Sequence, residues 1–83
     1  VCTGSALLVD AGIAAGRRVT THWAFVETLR GEGRAEVVDG VRFVRDGHVV
    51  TSAGVSAGID MTLWLVGELF GEDHARDVAR WID

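Results

Sequence analysis

The segment VSAGIDMTLWLVGELF, residues 55–70, constrains this chain more than any other stretch. As a helix, its 16 residues rise about 24 Å at 1.5 Å each, short of the ~30 Å hydrocarbon core of a bilayer. Asp60 and Glu68 lie inside it, which argues further against a membrane span. The expectation is a helix largely buried in a folded soluble domain, and other layers must cover it.

Covering it is hard for a chain of 83 residues. Domains this small bury only about 60–65% of their unfolded surface. Composition is otherwise that of a globular protein, 48% hydrophobic and 24% charged. The net charge is −4, and the eight basic residues, all arginine, are scattered, with Arg17-Arg18 the only pair. No cationic stripe is present to neutralise phosphates, so neither a nucleic acid nor a membrane is expected as a partner. A single cysteine excludes an internal disulfide framework. It points to a reducing compartment, so the expected location is the cytoplasm. No signal peptide is recognisable.

Along the chain, helical and extended patterns alternate, the mark of an α/β layer arrangement. TGSALLVDAGIA, residues 3–14, has helix formers with Leu7, Leu8, Ala11 and Ala14 or Ala15 at helical spacing, and Gly16 as a stop. RRVTTH reads as a short strand ending in polar residues, and WAFVETLR, 23–30, as a short helix. Residues 35–54 read as strands with two Asp-Gly pairs, Asp39-Gly40 and Asp46-Gly47. The second is the stronger hairpin signal. SAGVSAG, 52–58, is a strand-to-helix turn that lacks the glycine pattern and lysine of a nucleotide loop. In the last helix, EDHARDVARWI, an apolar stripe of Ala75, Val78, Ala79 and Ile82 opposes the pairs Asp73/Arg76 and Asp77/Arg80. No full strand leads into the first helix, and few strands are available to cover the apolar ones. The pattern is that of the C-terminal portion of a single domain whose larger parallel sheet precedes Val1.

Placed between a strand ending at Val1 and a helix beginning at Thr3, Cys2 would occupy a nucleophile elbow. Such a turn needs small neighbours, and Gly4 and Ser5 provide them. A helix N-terminus offers unpaired N–H groups and a positive dipole end, which favour the thiolate. The Thr3 hydroxyl is placed to donate to the sulfur or to a developing negative charge. The other reading is a buried, inert cysteine. For His22, two roles are open. One is approach to the thiol from beyond the carboxyl end of its strand; the other is capping or orienting the helix that begins at Trp23. His48 and His74 read as surface residues, and no Cys/His spacing matches a zinc site, so no metal is expected. Trp23, Trp64 and Trp81 read as core or interface packing. Asp60, inside an apolar helix, needs a partner, most simply a structural hydrogen bond.

Three stretches together carry a family pattern: VCTGSALLVDAGIAAGRRVTTHW, VRDGHVVTSAGVSAGIDMTLWLVGELFG and DVARWI. In combination and order they resemble the ThiJ/PfpI branch of the class I glutamine-amidotransferase-like fold. Within it, the pattern is most similar to isonitrile hydratases. The ligand-sensing domains of AraC-type regulators come close behind. The resemblance implies a flavodoxin-like three-layer sandwich with a parallel sheet, of which this chain is the C-terminal half. It implies Cys2 at the elbow, His22 nearby, Ser52, Ala53 and Gly54 lining the pocket beside Gly4, and an acidic partner for the thiol from before Val1. It also implies a homodimer. The protease-like members carry histidine directly after the cysteine. Thr3 stands there in this chain, which argues against peptidase activity and weakens a glyoxalase-like one.

The function so implied is cysteine-dependent hydration of an isonitrile to an N-substituted formamide, through a covalent thioimidate at Cys2, with Thr3 assisting and no cofactor. The alternatives are a non-catalytic small-molecule sensor domain of a transcription regulator, or another hydrolase or glyoxalase-like activity of the family.

Overall fold

A computed structural model describes residues 1–83. A 3-10 turn at Cys2–Gly4 runs straight into helix α1, Ser5–Asp10. The helix stops earlier than its apolar spacing predicts, and the chain then winds through turns in which Gly12 and Gly16 take φ +82° and +72°. The face it buries also differs from expectation. Ser5 and Val9, one turn apart, point inward, while Leu7 is 70% exposed. Leu7 follows Ser5 by two residues, about 200° around the helix, so the two cannot share a face.

Strand β1, Arg18–Val19, pairs in parallel with β2, Glu36–Val37, in the register Arg18↔Glu36 and Val19↔Val37. Between them lie a 3-10 turn at Trp23–Phe25 and helix α2, Val26–Gly31, as a parallel connection requires. Strands β3, Phe43–Asp46, and β4, Val49–Ser52, form the expected antiparallel hairpin. Its two-residue loop is Gly47-His48, with Asp46 ending the strand and Gly47 at φ +63°. Glycine at the first loop position suits a type II′ turn. Asp46 instead accepts the Arg18 amide on Oδ2 at 2.8 Å, fastening the hairpin tip to β1. Asp39-Gly40 makes no hairpin, because β2 is already paired with β1; Gly40 bends at φ +74°.

The two strand pairs are joined through threonines. The Thr20 amide donates to Thr51 Oγ1 at 2.9 Å, and Thr20 Oγ1 donates to the Val38 carbonyl at 2.8 Å, all at buried positions or close beside them. Hydroxyls here satisfy backbone groups that a continuous ladder would otherwise pair. Against one side of these strands sits the core of Val9, Ala14, Val19, Val26, Leu29, Val37 and Val49.

Helix α3, Val55–Phe70, lies where the apolar segment predicts, and Gly71, at φ +96°, turns the chain into α4, Glu72–Ile82. It is not largely buried. Only Ala57 and Gly58 are enclosed, and Val55, Leu69 and Phe70 are at least 65% exposed. The hairpin and α4 reach only part of its circumference, and no other layer of this chain covers the rest. Trp64 packs on Phe43 at 5.5 Å, with the Arg45 guanidinium over its ring. Trp23 and Trp81 are not core residues, being 79% and 87% exposed on helix ends. His48 and His74 are exposed, as expected. Asp73 pairs with Arg76, which also reaches Glu72, whereas Asp77 and Arg80 make no ion pair. Asp60 finds its partner in Arg42, whose Nε donates to Oδ2 at 2.5 Å, tying the approach to β3 onto α3. Hydrogen bonds that the Arg34 guanidinium donates to Asp10, then Glu32, raise its already high pKa further. No helix is long and apolar enough to cross a membrane.

Candidate active site

Cys2 is the only non-glycine residue with a positive φ, +54°. For an L-residue this left-handed conformation costs about 1–2 kcal/mol, so it persists only where the surroundings impose it. Here they do so from three directions. The Cys2 amide donates to the Ala53 carbonyl at 2.7 Å. The Cys2 carbonyl accepts the Ser5 amide, the Ser5 hydroxyl at 3.1 Å and the Thr21 hydroxyl at 3.0 Å. The Gly4 amide closes the turn on the Val1 carbonyl at 2.9 Å. Cys2 is therefore an elbow clamped between the residue after β4, the segment after β1 and the first turn of α1. Its side chain is partly exposed and free of any disulfide.

The expectation about small neighbours holds for Ser5 and fails for Gly4. Ser5 is fully buried and its hydroxyl is one of the clamps. Gly4 has helical φ and ψ, and a Cβ there would meet nothing within 4 Å, so the turn does not require glycine at that position. Thr3 is exposed.

His22 does what the capping alternative describes. With φ −58° and ψ 140° it is the N-cap of the turn that begins at Trp23, and its Nδ1 accepts the Ala24 amide at 3.1 Å. The ring also borders the SAG turn, since a Cβ on Gly54 would stand 3.8 Å from His22 Cδ2. Thus Cys2 is hydrogen-bonded to Ala53, and the His22 ring borders the side-chain position of the next residue, Gly54. Gly54 is the N-cap of α3 in an extended conformation, without a side-chain cap.

Ser52 lies beneath this surface. It is fully enclosed, with its Oγ 3.5 Å from the Cβ position of Gly58 and without a hydrogen-bond partner. Val1 covers the same glycine, so close that a Cβ on Gly58 would stand 2.8 Å from Val1 Cγ1. An apolar groove opens there, lined by Val1, Val55, Ile59, Leu63, Val78 and Ile82. Neither this groove nor the other three clefts contains Cys2 or His22. No three His, Cys, Asp or Glu side chains converge on a point that suits a metal.

The residues that sequence reasoning missed are Thr21 and, as a donor, the hydroxyl of Ser5. The polar end of the strand at Thr20-Thr21 was the available signal, since buried hydroxyls need partners.

Residues 1–68 match the DJ-1/PfpI family, a span that includes the elbow, His22, the SAG turn and most of α3. The chain is 49% identical over 76 residues to the isonitrile hydratase of Pseudomonas putida, covering 92% of this chain and 32% of that protein. It is 36% identical over 77 residues to the HTH-type transcriptional regulator CdhR of Pseudomonas aeruginosa, covering 93% of this chain and 23% of the regulator. Among solved structures, a THiJ/PfpI family protein from Pseudomonas syringae superposes with a TM-score of 0.78 at 39% identity, over 90% of this chain and 30% of that one. The chain thus spans about a third or less of the length of these relatives. With a flavodoxin-like partial domain and a clamped cysteine elbow inside the matched region, the chain belongs to the DJ-1/PfpI family.

Proposed function

We propose that Cys2 is the nucleophile of an isonitrile hydratase. The observation that carries this reading is the elbow itself: a cysteine held at φ +54° by hydrogen bonds to three parts of the chain. Such strain is expected where a side chain must be presented in a fixed direction. The 49% identity to an isonitrile hydratase supports the choice of substrate.

In this mechanism the Cys2 sulfur attacks the terminal carbon of R–N≡C. A C–S bond forms, and the thiol proton ends on that carbon, giving the thioimidate R–N=CH–S–Cys. Water then adds to the carbon, with its proton passing to nitrogen. Collapse of the adduct breaks the C–S bond, returns a proton to sulfur and releases R–NH–CHO. One difficult addition becomes two easier ones. The Cys2 and Gly4 amides are already engaged with Ala53 and Val1, so stabilisation at the elbow falls to the Thr3 amide and hydroxyl. The acid that moves the first proton belongs, in this reading, to the part of the relatives' length that this chain does not span. The protein works in the cytoplasm as a homodimer and needs no metal or organic cofactor.

The similarity to the regulator CdhR favours one alternative, a sensor domain that binds a small molecule at this elbow without turning it over. Formamide production from an isonitrile by the full-length protein, with Cys2→Ala alongside, separates the two. Turnover abolished by the substitution supports the hydratase. Saturable binding of the isonitrile without product supports the sensor.

A further inference from the structure

In the register of the hairpin Arg45 stands opposite Val50, so both side chains leave the face that carries Phe43 onto Trp64 of α3. Between the tip of this face and the C-terminal half of α3 lies a cleft of about 340 Å³. That is the lower end of the range usual for small-ligand sites, roughly 300–1,000 Å³. Its apolar surface comes from Val50, Leu65 and Leu69, and its polar groups are Arg45, His48 and Glu68. Arg45 is pinned at its inner end. Its Nε donates to the Gly47 carbonyl at 3.2 Å, and its guanidinium lies over the Trp64 ring, 5.8 Å from the centre. The terminal nitrogens of Arg45 have no partner, whereas Arg17, Arg30, Arg34, Arg42 and Arg76 each meet a carboxylate. Glu68, one turn or about 6 Å along α3 from Trp64, is unpaired as well. The other carboxylate at the tip, Asp46, faces the opposite way, toward Arg17 and the Arg18 amide.

We propose that this cleft binds a zwitterionic α-amino acid with an aliphatic side chain, Arg45 taking its carboxylate and Glu68 its ammonium. Opposite charges on the two walls select against simpler ligands. A plain anion would face Glu68, and a plain cation would face Arg45, whereas a zwitterion satisfies both. The guanidinium suits its part because the Gly47 carbonyl and the Trp64 ring already fix it, so little freedom is lost when its two terminal nitrogens grip a carboxylate side by side. His48 is on the same wall, and its ring N–H is a second donor for that carboxylate. Val50, Leu65 and Leu69 offer the aliphatic side chain a surface to cover. Neither Cys2 nor His22 borders the cleft, so binding here does not draw on the chemistry at the elbow.

Titration calorimetry of the full-length protein with three probes of similar shape tests the assignment: L-leucine, isoamylamine, which lacks the carboxylate, and 4-methylpentanoate, which lacks the ammonium. Leucine is expected to bind with a Kd of about 1 mM or tighter, as suits a small open cleft, and each analogue about 10-fold more weakly or worse. Arg45→Gln should weaken leucine about 10-fold and abolish its preference over isoamylamine, and Glu68→Gln should abolish its preference over 4-methylpentanoate. These losses are specific to one end of the ligand, which a general loss of folding would not produce. Arg45→Lys keeps the charge and loses the paired donors, so it should fall between Arg45→Gln and the unmodified protein. Cys2→Ala should bind leucine unchanged. No saturable binding of leucine up to about 10 mM, equal binding of all three probes, or leucine affinity untouched by both Arg45→Gln and Glu68→Gln overturns the proposal. So does loss of leucine binding in Cys2→Ala, which would move the ligand to the elbow.

Discussion

The Thr21 hydroxyl donates to the Cys2 carbonyl at 3.0 Å, across nineteen residues of sequence. It lies at a buried position just past β1, so the end of that strand and the cysteine turn are held as one unit. Thr21→Val keeps the shape and removes the donor. The carbonyl retains Ser5, so no group is orphaned, and the stability loss read by urea denaturation should be about 1 kcal/mol. Turnover should fall by more than that loss alone implies, by up to about 10²-fold, the order that a misplacement of 1 Å produces.

Gly58 gives a prediction whose sign is set by one contact. In mid-helix, alanine would normally gain about 1 kcal/mol over glycine. At this site its Cβ would stand 2.8 Å from Val1 Cγ1, and a β-branched side chain has little freedom to turn away. Gly58→Ala is therefore expected to destabilise, by about 1 kcal/mol net of the helix gain. Adding Val1→Ala should recover the loss, which a double-mutant cycle in denaturant measures.

The strain at Cys2 is also measurable. At φ +54°, glycine is at ease and alanine is not. Both substitutions remove the sulfur, so Cys2→Gly should be more stable than Cys2→Ala by about 0.5–1 kcal/mol after allowing for the greater freedom of unfolded glycine. Equal melting temperatures would mean that the turn is not strained.

The Arg42–Asp60 pair is short but exposed on both sides. Asp60→Asn should cost less than about 1 kcal/mol, with the difference shrinking as salt is added. Formamide production should be unchanged, because Asp60 serves the packing of the hairpin on α3 and has no part in the chemistry.

The elements most legible in the sequence were those with local punctuation. Gly71 ends α3, Asp46-Gly47 marks the hairpin to within one residue, and VCTG marks an elbow. What could not be read were relationships set by distant partners. The parallel pairing of Arg18–Val19 with Glu36–Val37 involves strands too short for any period to show. The Asp60–Arg42 pair spans a hairpin. The inward face of α1 is chosen by Ser5, a polar residue that no hydrophobic count selects. The burial expected of α3 failed for a related reason: apolar composition tells that a face needs a cover, and this chain supplies cover for only part of it. At the site, the cysteine was identifiable from small residues around a helix start. Its clamp by Thr21 was not, since the polar pair Thr20-Thr21 at a strand end signals that hydroxyls need partners without naming the distant partner.

The most direct test of the central claim is intact-mass measurement of the full-length protein mixed with an isonitrile and quenched within one turnover. Addition to the thiol loses no atoms. The account predicts a transient species heavier by the whole mass of the isonitrile, located on Cys2 by peptide mapping and absent from Cys2→Ser. Formamide formed at the unmodified rate by Cys2→Ser, or an adduct mapped to another residue, would contradict it.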